Sequence, residues 1–298
     1  MFALGAMGLL ASGCATTSVA SAPLQTAAPT LPTVPPTTVP PTTVPPTTVP
    51  PTTVPPTTQP PATTVPPAPT TTVPANIIAV PVPESPIVAV GTSDGAETSR
   101  AQWRLLELGF WLQEANGDYG LTTRQAVMAF QKFYGLTADG VLGQQTADTM
   151  TAITERPRGS TDAGTMVEID KRLQLLFLVN DGITSWIFNV STGSEIAYDE
   201  PDQNSPGERQ TGDSVTRTGL FDVYRERAEG WWEGDLGEIY RPKYFSGGIA
   251  VHGSNNIPNY PASHGCVRVS VPAMDWIWEV NAMPMDLPVW VHGNIPGK

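Results

Sequence analysis

The chain has 298 residues, and 28 Asp and Glu against 16 Lys and Arg give it a formal charge of −12. Of its 32 prolines, 22 fall between Pro23 and Pro86, and no Lys or Arg precedes Arg100, so about 200 residues remain to form folded domains. An acidic chain without basic clusters is not expected to bind nucleic acid, because that affinity comes mostly from neutralising phosphates.

The first 13 residues are uncharged and either apolar or small. A bilayer-spanning helix needs about 20 apolar residues, so this stretch is typical of the hydrophobic part of a signal peptide. It ends in Leu10-Ala11-Ser12-Gly13-Cys14, which resembles a bacterial lipobox, in which the cysteine is lipidated and becomes the mature N-terminus. The resemblance implies an exported protein, anchored through Cys14 at the outer face of the cytoplasmic membrane and facing the cell wall. A plain secretory leader with an incidental cysteine is the alternative.

Residues 14–97 are predicted to form a disordered linker rich in Pro and Thr. From Val34 to Thr58 the pentapeptide Val-Pro-Pro-Thr-Thr occurs five times in succession. Proline fixes φ near −65° and lacks an N–H, so such a chain extends as polyproline II, rising about 3.1 Å per residue. We interpret the linker as a spacer; a ligand for an SH3-type domain is the alternative for a Pro-rich run.

Residues 98–153 are predicted to form a small three-helix module. A first amphipathic helix is followed by a second from Thr123 to Tyr134 and by a third that begins at Thr146. Both threonines end the same Gly-x-x-Thr pattern after an aspartate-bearing turn. The echo predicts that each threonine is the N-cap of its helix.

The order LxxLGF…GDYGxxTxxAVxxFQxxxGLxxDGVxGxxT in this module resembles the peptidoglycan-binding domain found on many cell-wall enzymes. The resemblance implies a wall-binding fold. Trp111 and Tyr119 are either platforms for sugar rings or members of the hydrophobic core, and we favour the core.

Residues 164–293 are predicted to form a mostly β domain, which makes the chain an α+β multidomain protein. Short apolar runs with alternating character are separated by Gly, Asn and Asp turns. One helix is predicted from Pro272 to Val280. The predicted strands are Met166–Asp170, Leu173–Val179, Ile183–Val190, Leu220–Tyr224, Gly248–His252 and Val289–His292.

Two of the chain's three histidines, His252 and His264, lie within 14 residues upstream of Cys266, the domain's single cysteine. A free thiol is unusual in an exported protein, and a neighbouring imidazole is the usual activator of a cysteine nucleophile. A buried structural cysteine and a zinc site formed by these three residues are the alternatives. From the residues alone, either histidine could be the base.

The run His252-Gly-Ser…Ser263-His264-Gly265-Cys266-Val267-Arg268 resembles the signature of the L,D-transpeptidase catalytic domain of the YkuD type. Support extends to Thr216-Arg-Thr-Gly-Leu-Phe221, which is similar to the Thr-Pro-x-Gly-x-Phe element of that family, with Arg217 in place of the proline. The resemblance implies a sandwich-like β fold and 3→3 cross-linking of peptidoglycan stem peptides through a cysteine thioester. It implies neither a cofactor nor a metal, and it implies acylation by carbapenem-type β-lactams.

The resemblance also assigns roles in catalysis. Cys266 is the nucleophile and His252 the general base, and the Gly253 carbonyl fixes the tautomer of that histidine. Backbone N–H groups of Gly265 and Cys266 form the oxyanion hole, which His264 lines.

Substrate contacts are expected from Arg268, which suits a carboxylate or a structural ion pair, and from Ser263, Tyr244 and Ser254. The Trp-rich segment 226–245 is either a lid over the substrate groove, with Trp231 or Trp232 touching the stem, or a packed loop.

Three rival functions stay open at this point. An L,D-carboxypeptidase would use water as acceptor, and a related enzyme would attach proteins to the wall through a lysine. A non-enzymatic wall-binding lipoprotein is the alternative from a different class.

Overall fold

The computed structural model describes residues 76–297, so the leader at 1–13, Cys14 and the Val-Pro-Pro-Thr-Thr repeats lie outside the described residues. In this described range three helices come first, and a region made mostly of strands follows, with one further helix near its end. The helices are α1 (Ala96–Glu107), α2 (Leu121–Phe133), α3 (Gln144–Ala152) and α4 (Val271–Glu279). The longest has 13 residues, so no helix within 76–297 is long and apolar enough to cross a membrane.

The last part of the predicted linker is folded against the helices, which corrects the boundary at residue 97. Val80 and Ile87 are 7% and 5% exposed and belong to the core of the helical module. The Val80 N–H donates to the Thr154 carbonyl at 2.8 Å, and Gly91 forms a bridge with Leu142. The sequence did not indicate this segment, because Pro81, Pro83 and Pro86 interrupt its apolar residues and leave no helical or strand periodicity.

Both threonines of the predicted echo are buried in the first turns of their helices, and neither is an N-cap. Gly120 and Gly143 hold the N-cap positions of α2 and α3. The Thr123 hydroxyl accepts from Gln102 Nε2 at 2.7 Å, and the Thr146 hydroxyl accepts from Gln131 Nε2 at 3.1 Å. The repeated Gly-x-x-Thr pattern therefore marks a repeated hydrogen bond, in which a buried glutamine of one helix donates to the threonine in the first turn of the next helix.

Within residues 76–297, twelve strands form two large sheets and a separate hairpin. One sheet has the order β3-β2-β1-β12-β6, the other has β11-β10-β9-β7 with β8 also paired to β9, and β4 pairs with β5. The strands are β1 (Met166–Asp170), β2 (Leu175–Asn180), β3 (Ile183–Asn189), β4 (Tyr198–Pro201), β5 (Arg209–Gly212), β6 (Gly219–Asp222), β7 (Arg225–Glu226), β8 (Trp231–Gly234), β9 (Gly237–Ser246), β10 (Ile249–Ser254), β11 (Val267–Ser270) and β12 (Pro288–His292).

Strand β2 is buried on both faces, which explains its unbroken apolar sequence. Leu175, Phe177 and Val179 pack with the helical module, whereas Leu176 and Leu178 face the second core. That core lies between the two sheets and includes residues of α4. The predicted α+β arrangement, three helices followed by a sandwich-like domain, is confirmed.

The helical module and the first sheet are joined by backbone and side-chain hydrogen bonds. The Trp111 N–H donates to the Ile187 carbonyl at 3.0 Å, and Lys132 Nζ donates to the Val190 carbonyl at 3.2 Å. Trp111 is 5% exposed and stacks on Phe188, so it is a core residue rather than an exposed sugar platform. Tyr119 is half-buried, and its hydroxyl donates to the Gly140 carbonyl.

Candidate active site

The pairing of β10 with β11 brings the predicted catalytic residues to one face of the second sheet. The strands run parallel, with His252 opposite Arg268 and Val251 opposite Val267. Cys266 immediately precedes β11, so it shares a face with Arg268 and hence with His252. All three side chains line a cavity of about 930 Å³.

The loop that carries the thiol is held by buried hydroxyl groups. Gly265 has φ +135°, and a Cβ there would lie 3.2 Å from the Val215 carbonyl oxygen, so the position requires glycine. Thr216 Oγ1 donates to the Gly265 carbonyl at 2.6 Å and accepts from the Gly193 N–H at 2.9 Å. Ser263 Oγ donates to the Cys266 carbonyl at 2.5 Å.

The predicted oxyanion hole is only partly available in this loop. The Gly265 N–H donates to Ser263 Oγ at 3.0 Å, so it already has a partner within the loop. The sequence assigned both the Gly265 and the Cys266 N–H groups to the oxyanion hole, and the Gly265 N–H would have to leave Ser263 Oγ to take part. The Cys266 N–H is the remaining member of the predicted pair, and Ser263 is a buried support of the loop.

His252 is 3% exposed, and its ring is oriented by the neighbouring backbone. Its Nδ1 lies 2.8 Å from the Gly253 carbonyl oxygen, which fixes Nδ1 as the donor and leaves Nε2 as the basic nitrogen. Tyr240 packs on Gly253 so closely that a Cβ there would lie 2.8 Å from its ring. The pKa of His252 is lowered to about 4, chiefly by burial; the Gly253 carbonyl opposes this shift, and the Arg268 charge contributes to it.

The Cys266 thiol is protonated in the same environment. Burial raises its pKa, although the Ala250 backbone N–H and the Arg268 charge act in the opposite direction. The thiol donates to the Gly248 carbonyl, with Sγ 3.8 Å from the oxygen. Because His252 is neutral as well, the resting pair is a thiol and an imidazole rather than a thiolate and an imidazolium.

His264 turns toward the β4–β5 hairpin. Its Nε2 lies 3.1 Å from Glu200 Oε1, and its ring centroid lies 4.7 Å from that of Tyr198. It lines the cavity together with Cys266. The two histidines thus have different surroundings, and within residues 76–297 no three His, Cys, Asp or Glu side chains form a group that could hold a metal ion.

The predicted substrate contacts Arg268, Tyr244 and Ser254 line the cavity, and they differ in how accessible their polar groups are. Arg268 and Tyr244 line the cavity, and within the described chain no carboxylate lies within 4.0 Å of the Arg268 guanidinium to form the alternative ion pair. Tyr244 is 5% exposed, so little of its surface is accessible. Ser254 also lines the cavity, but its hydroxyl accepts from the Asn256 N–H in a turn at 3.1 Å.

Two hairpins form the outer walls of the cavity. The predicted lid segment is the β8–β9 hairpin, whose Trp231 and Trp232 are 42% and 43% exposed and line the cavity. The β4–β5 hairpin, which was not expected, meets it at Asp235. The Asn204 side chain donates to Asp235 Oδ1 at 2.8 Å, and the Gln203 N–H donates to the Asp235 carbonyl at 3.0 Å.

Comparison with known proteins agrees with this architecture. A model of the peptidoglycan binding domain matches residues 94–150, and a model of the L,D-transpeptidase catalytic domain matches residues 164–291. The crystal structure of an L,D-transpeptidase from Xylanimonas cellulosilytica is 43% identical, with a TM-score of 0.62 and coverage of 70% of this chain and 100% of that one. The chain belongs to the L,D-transpeptidase family. Both matched domains act on peptidoglycan, which indicates a cell-wall or extracytoplasmic location.

Two further similarities are weaker. An L,D-transpeptidase structure from Stackebrandtia nassauensis is 21% identical, with a TM-score of 0.41 and coverage of 72% of this chain and 100% of that one. The N-acetylmuramoyl-L-alanine amidase CwlM of Mycobacterium tuberculosis is 36% identical over 67 residues. That match spans 22% of this chain and 16% of the length of the curated relative.

Sequence reasoning missed several residues of this L,D-transpeptidase site. The sequence indicates Thr216 only as part of a family-like motif, although Thr216 holds the loop that carries the thiol. No sequence pattern indicates Glu200, Arg225 or Arg227, yet Glu200 contacts His264 and both arginines line the cavity. Their spacing from Cys266 along the chain gives no local signal, since strand pairing alone brings them to the site.

Proposed function

We propose that this L,D-transpeptidase forms 3→3 cross-links in peptidoglycan through a thioester on Cys266. The observation that carries the proposal is the alignment of His252 and Cys266 on one face of the sheet, with Nδ1 of the histidine held by the Gly253 carbonyl. The cavity beside them is large enough for part of a peptide stem. Arg268 supplies a positive charge next to the thiol.

Acylation of Cys266 begins from the neutral pair. When the donor stem displaces the thiol from the Gly248 carbonyl, His252 Nε2 accepts the thiol proton and Sγ attacks the carbonyl carbon of the third stem residue. The Cys266 N–H donates to the oxyanion of the tetrahedral intermediate. His252 then returns the proton to the departing amine, D-alanine leaves, and the thioester remains.

Transfer follows the same path in reverse. The side-chain amine of an acceptor stem attacks the thioester carbonyl while His252 takes a proton from the attacking nitrogen. Collapse of the intermediate breaks the carbon–sulfur bond, and the proton on His252 restores the thiol. The product is an amide between two third residues, a 3→3 cross-link.

The remaining parts of the chain are proposed to deliver the catalytic domain to its substrate. The helical module, within residues 98–153, would hold the enzyme on the wall, and the catalytic domain would occupy residues 164–293. Cys14 would anchor the chain to the membrane through its lipid, and the Pro/Thr linker that follows would serve as a spacer.

Product analysis with purified chain and synthetic tetrapeptide stems tests the proposal. Mass spectrometry should show a dimer smaller by one D-alanine than two donors, absent with Cys266→Ala. Free tripeptide without dimer would indicate the L,D-carboxypeptidase, and product only with a lysine-bearing protein would indicate protein attachment. No product in any arm would favour the non-enzymatic wall-binding lipoprotein.

A further inference from the structure

The cavity beside Cys266 contains two arginines for which the proposed mechanism has no use. Arg225 lies on β7 and Arg227 directly follows that strand, and both line the cavity. In the described part of the chain, neither guanidinium has a carboxylate within 4.0 Å. With Arg268, they give the cavity three cationic side chains that lack acidic partners.

Aromatic rings support both guanidinium groups without neutralising them. Arg225 lies 3.8 Å from the centroid of the Tyr244 ring, and Arg227 lies 3.5 Å from that of Trp232. Arg227 Nε is buried and has no hydrogen-bond partner within residues 76–297. Stacking of this kind orients a guanidinium and leaves its N–H groups to an incoming anion.

Strand register gives the distance of Arg225 from the thiol. In β9, Tyr244 pairs with Ala250 of β10 on one side and with Arg225 of β7 on the other. Cys266, directly before β11, lies beside Ala250 because the next residues, Val267 and Val251, pair. Adjacent strands are about 4.8 Å apart, so Tyr244 is about 10 Å from Cys266 across the sheet. The Arg225 guanidinium is on the Tyr244 ring and shares that position.

A separation of about 10 Å corresponds to three residues of an extended peptide or to one long side chain. An anion bound there would belong to the same stem whose carbonyl is at Cys266. It would not be the carboxylate next to the cleaved bond, which lies closer to the thiol and to Arg268.

We propose that Arg225 and Arg227, supported by Tyr244 and Trp232, bind a second free carboxylate of the donor stem. This inference rests on the proposed function and adds a substrate class to it: stems in which that carboxylate is not amidated. The carboxylate comes from the side chain of the third residue or from the residue before it. Guanidinium groups recognise both in the same way, because each offers two oxygens to paired N–H donors.

The subsite is tested with three synthetic tetrapeptide donors. The first donor has a diamino-dicarboxylic third residue, and the carboxylates of both its second and its third residue are free. The second donor is amidated at the carboxylate of the second residue, and the third donor at that of the third residue. The double variant Arg225→Gln/Arg227→Gln should raise KM for the free donor about 100-fold with little change in kcat, since each lost charged hydrogen bond costs about tenfold in affinity. The donor that is amidated at the recognised position should already show this higher KM with the unaltered chain. The double variant should not raise the KM of that donor further.

Two controls separate loss of the subsite from loss of structure. Arg172→Gln removes an exposed arginine that does not line the cavity and should leave KM unchanged. Alkylation of Cys266 by iodoacetamide should proceed at the same rate in the double variant. Equal KM values for the free donor and both amides, with no effect of the double variant, would overturn the inference while leaving the proposed function intact.

Calorimetry on the Cys266→Ala chain tests the same subsite without turnover. The free donor should bind about 100-fold more tightly than the recognised amide, and Arg225→Gln/Arg227→Gln on this background should abolish that preference. Absence of turnover in the unaltered chain, together with this preference, would reject the proposed function and support the subsite. Equal affinity for all three donors would reject the subsite.

Discussion

The protonation state of the resting His252–Cys266 pair can be read from the pH dependence of acylation. Burial lowers the pKa of His252 to about 4 and raises the pKa of Cys266, so at neutral pH both are uncharged. The imidazole is therefore ready to accept a proton far below the pH at which an ordinary histidine becomes protonated. Acylation should keep its rate under mildly acidic conditions.

The size of the effect follows from the two pKa values. At pH 5 a histidine with the ordinary pKa of about 6.5 is neutral in about 3% of molecules, whereas one with a pKa of about 4 is neutral in about 90%. The rate constant kcat/KM for donor cleavage should thus be about 30-fold higher at pH 5 than an unperturbed histidine would permit. Its acidic limb should fall tenfold per pH unit only below about pH 4.

Initial rates of D-alanine release between pH 3.5 and 8 measure this acidic limb. The rate of Cys266 alkylation by iodoacetamide reports the protonation state of the thiol independently. Alkylation of Cys266 should be slow at pH 7 and should rise toward alkaline pH, as expected of a protonated thiol. An acidic limb near pH 6.5 would show an imidazole with an ordinary pKa, and a fast alkylation plateau from pH 5 to 8 would show a thiolate–imidazolium pair. Either result would refute the reasoning.

Four further predictions concern the supports of the site and the linker. Thr216→Val should lower the free energy of unfolding by about 2–5 kcal/mol, because it leaves the buried Gly193 N–H and Gly265 carbonyl without this partner; thermal melts with Thr216→Ser as control check it. Gly265→Ala should reduce acylation of Cys266 strongly in a mass-shift assay, since φ +135° is strained for any residue with a Cβ; unchanged acylation would contradict this. His252→Ala should lower the acylation rate by about 10²–10⁴-fold and His264→Ala by less, and the reverse order in single-turnover kinetics would exchange their roles. Deleting residues 34–58 removes 25 residues, or about 80 Å of polyproline II, and should reduce 3→3 cross-links in cells but not activity on soluble stems; a same-length unrelated Pro-Thr run should restore them.

Much of the fold was predictable because apolar periodicity reports which face of an element is buried. Strand β1 has the predicted bounds, and α4 differs from its prediction by one residue at each end. The β4–β5 hairpin was missed because its residues are mostly exposed and polar, so no alternation marks it. Polar pairing between distant segments, as between Asn204 and Asp235, has no signature in either segment alone.

At the site, too, the sequence does not show which distant groups a polar side chain contacts. The family-like motif predicted that Cys266 and His252 act together, and strand register places both residues on one face of the sheet. The sequence assigned helix capping to Thr123 and an oxyanion-binding role to the Gly265 N–H. Local patterns do not show that a glutamine or serine side chain contacts these same groups. The partners of a buried polar group depend on tertiary packing, and only the folded chain identifies them.

The most direct test of thioester catalysis is the intact mass of the chain after brief mixing with a tetrapeptide donor and no acceptor. The account predicts one adduct equal to the donor minus D-alanine, located on the peptide that contains Cys266, sensitive to hydroxylamine and absent in Cys266→Ala. Release of D-alanine without any such adduct at the shortest mixing times, or an adduct that persists in Cys266→Ala, would contradict it.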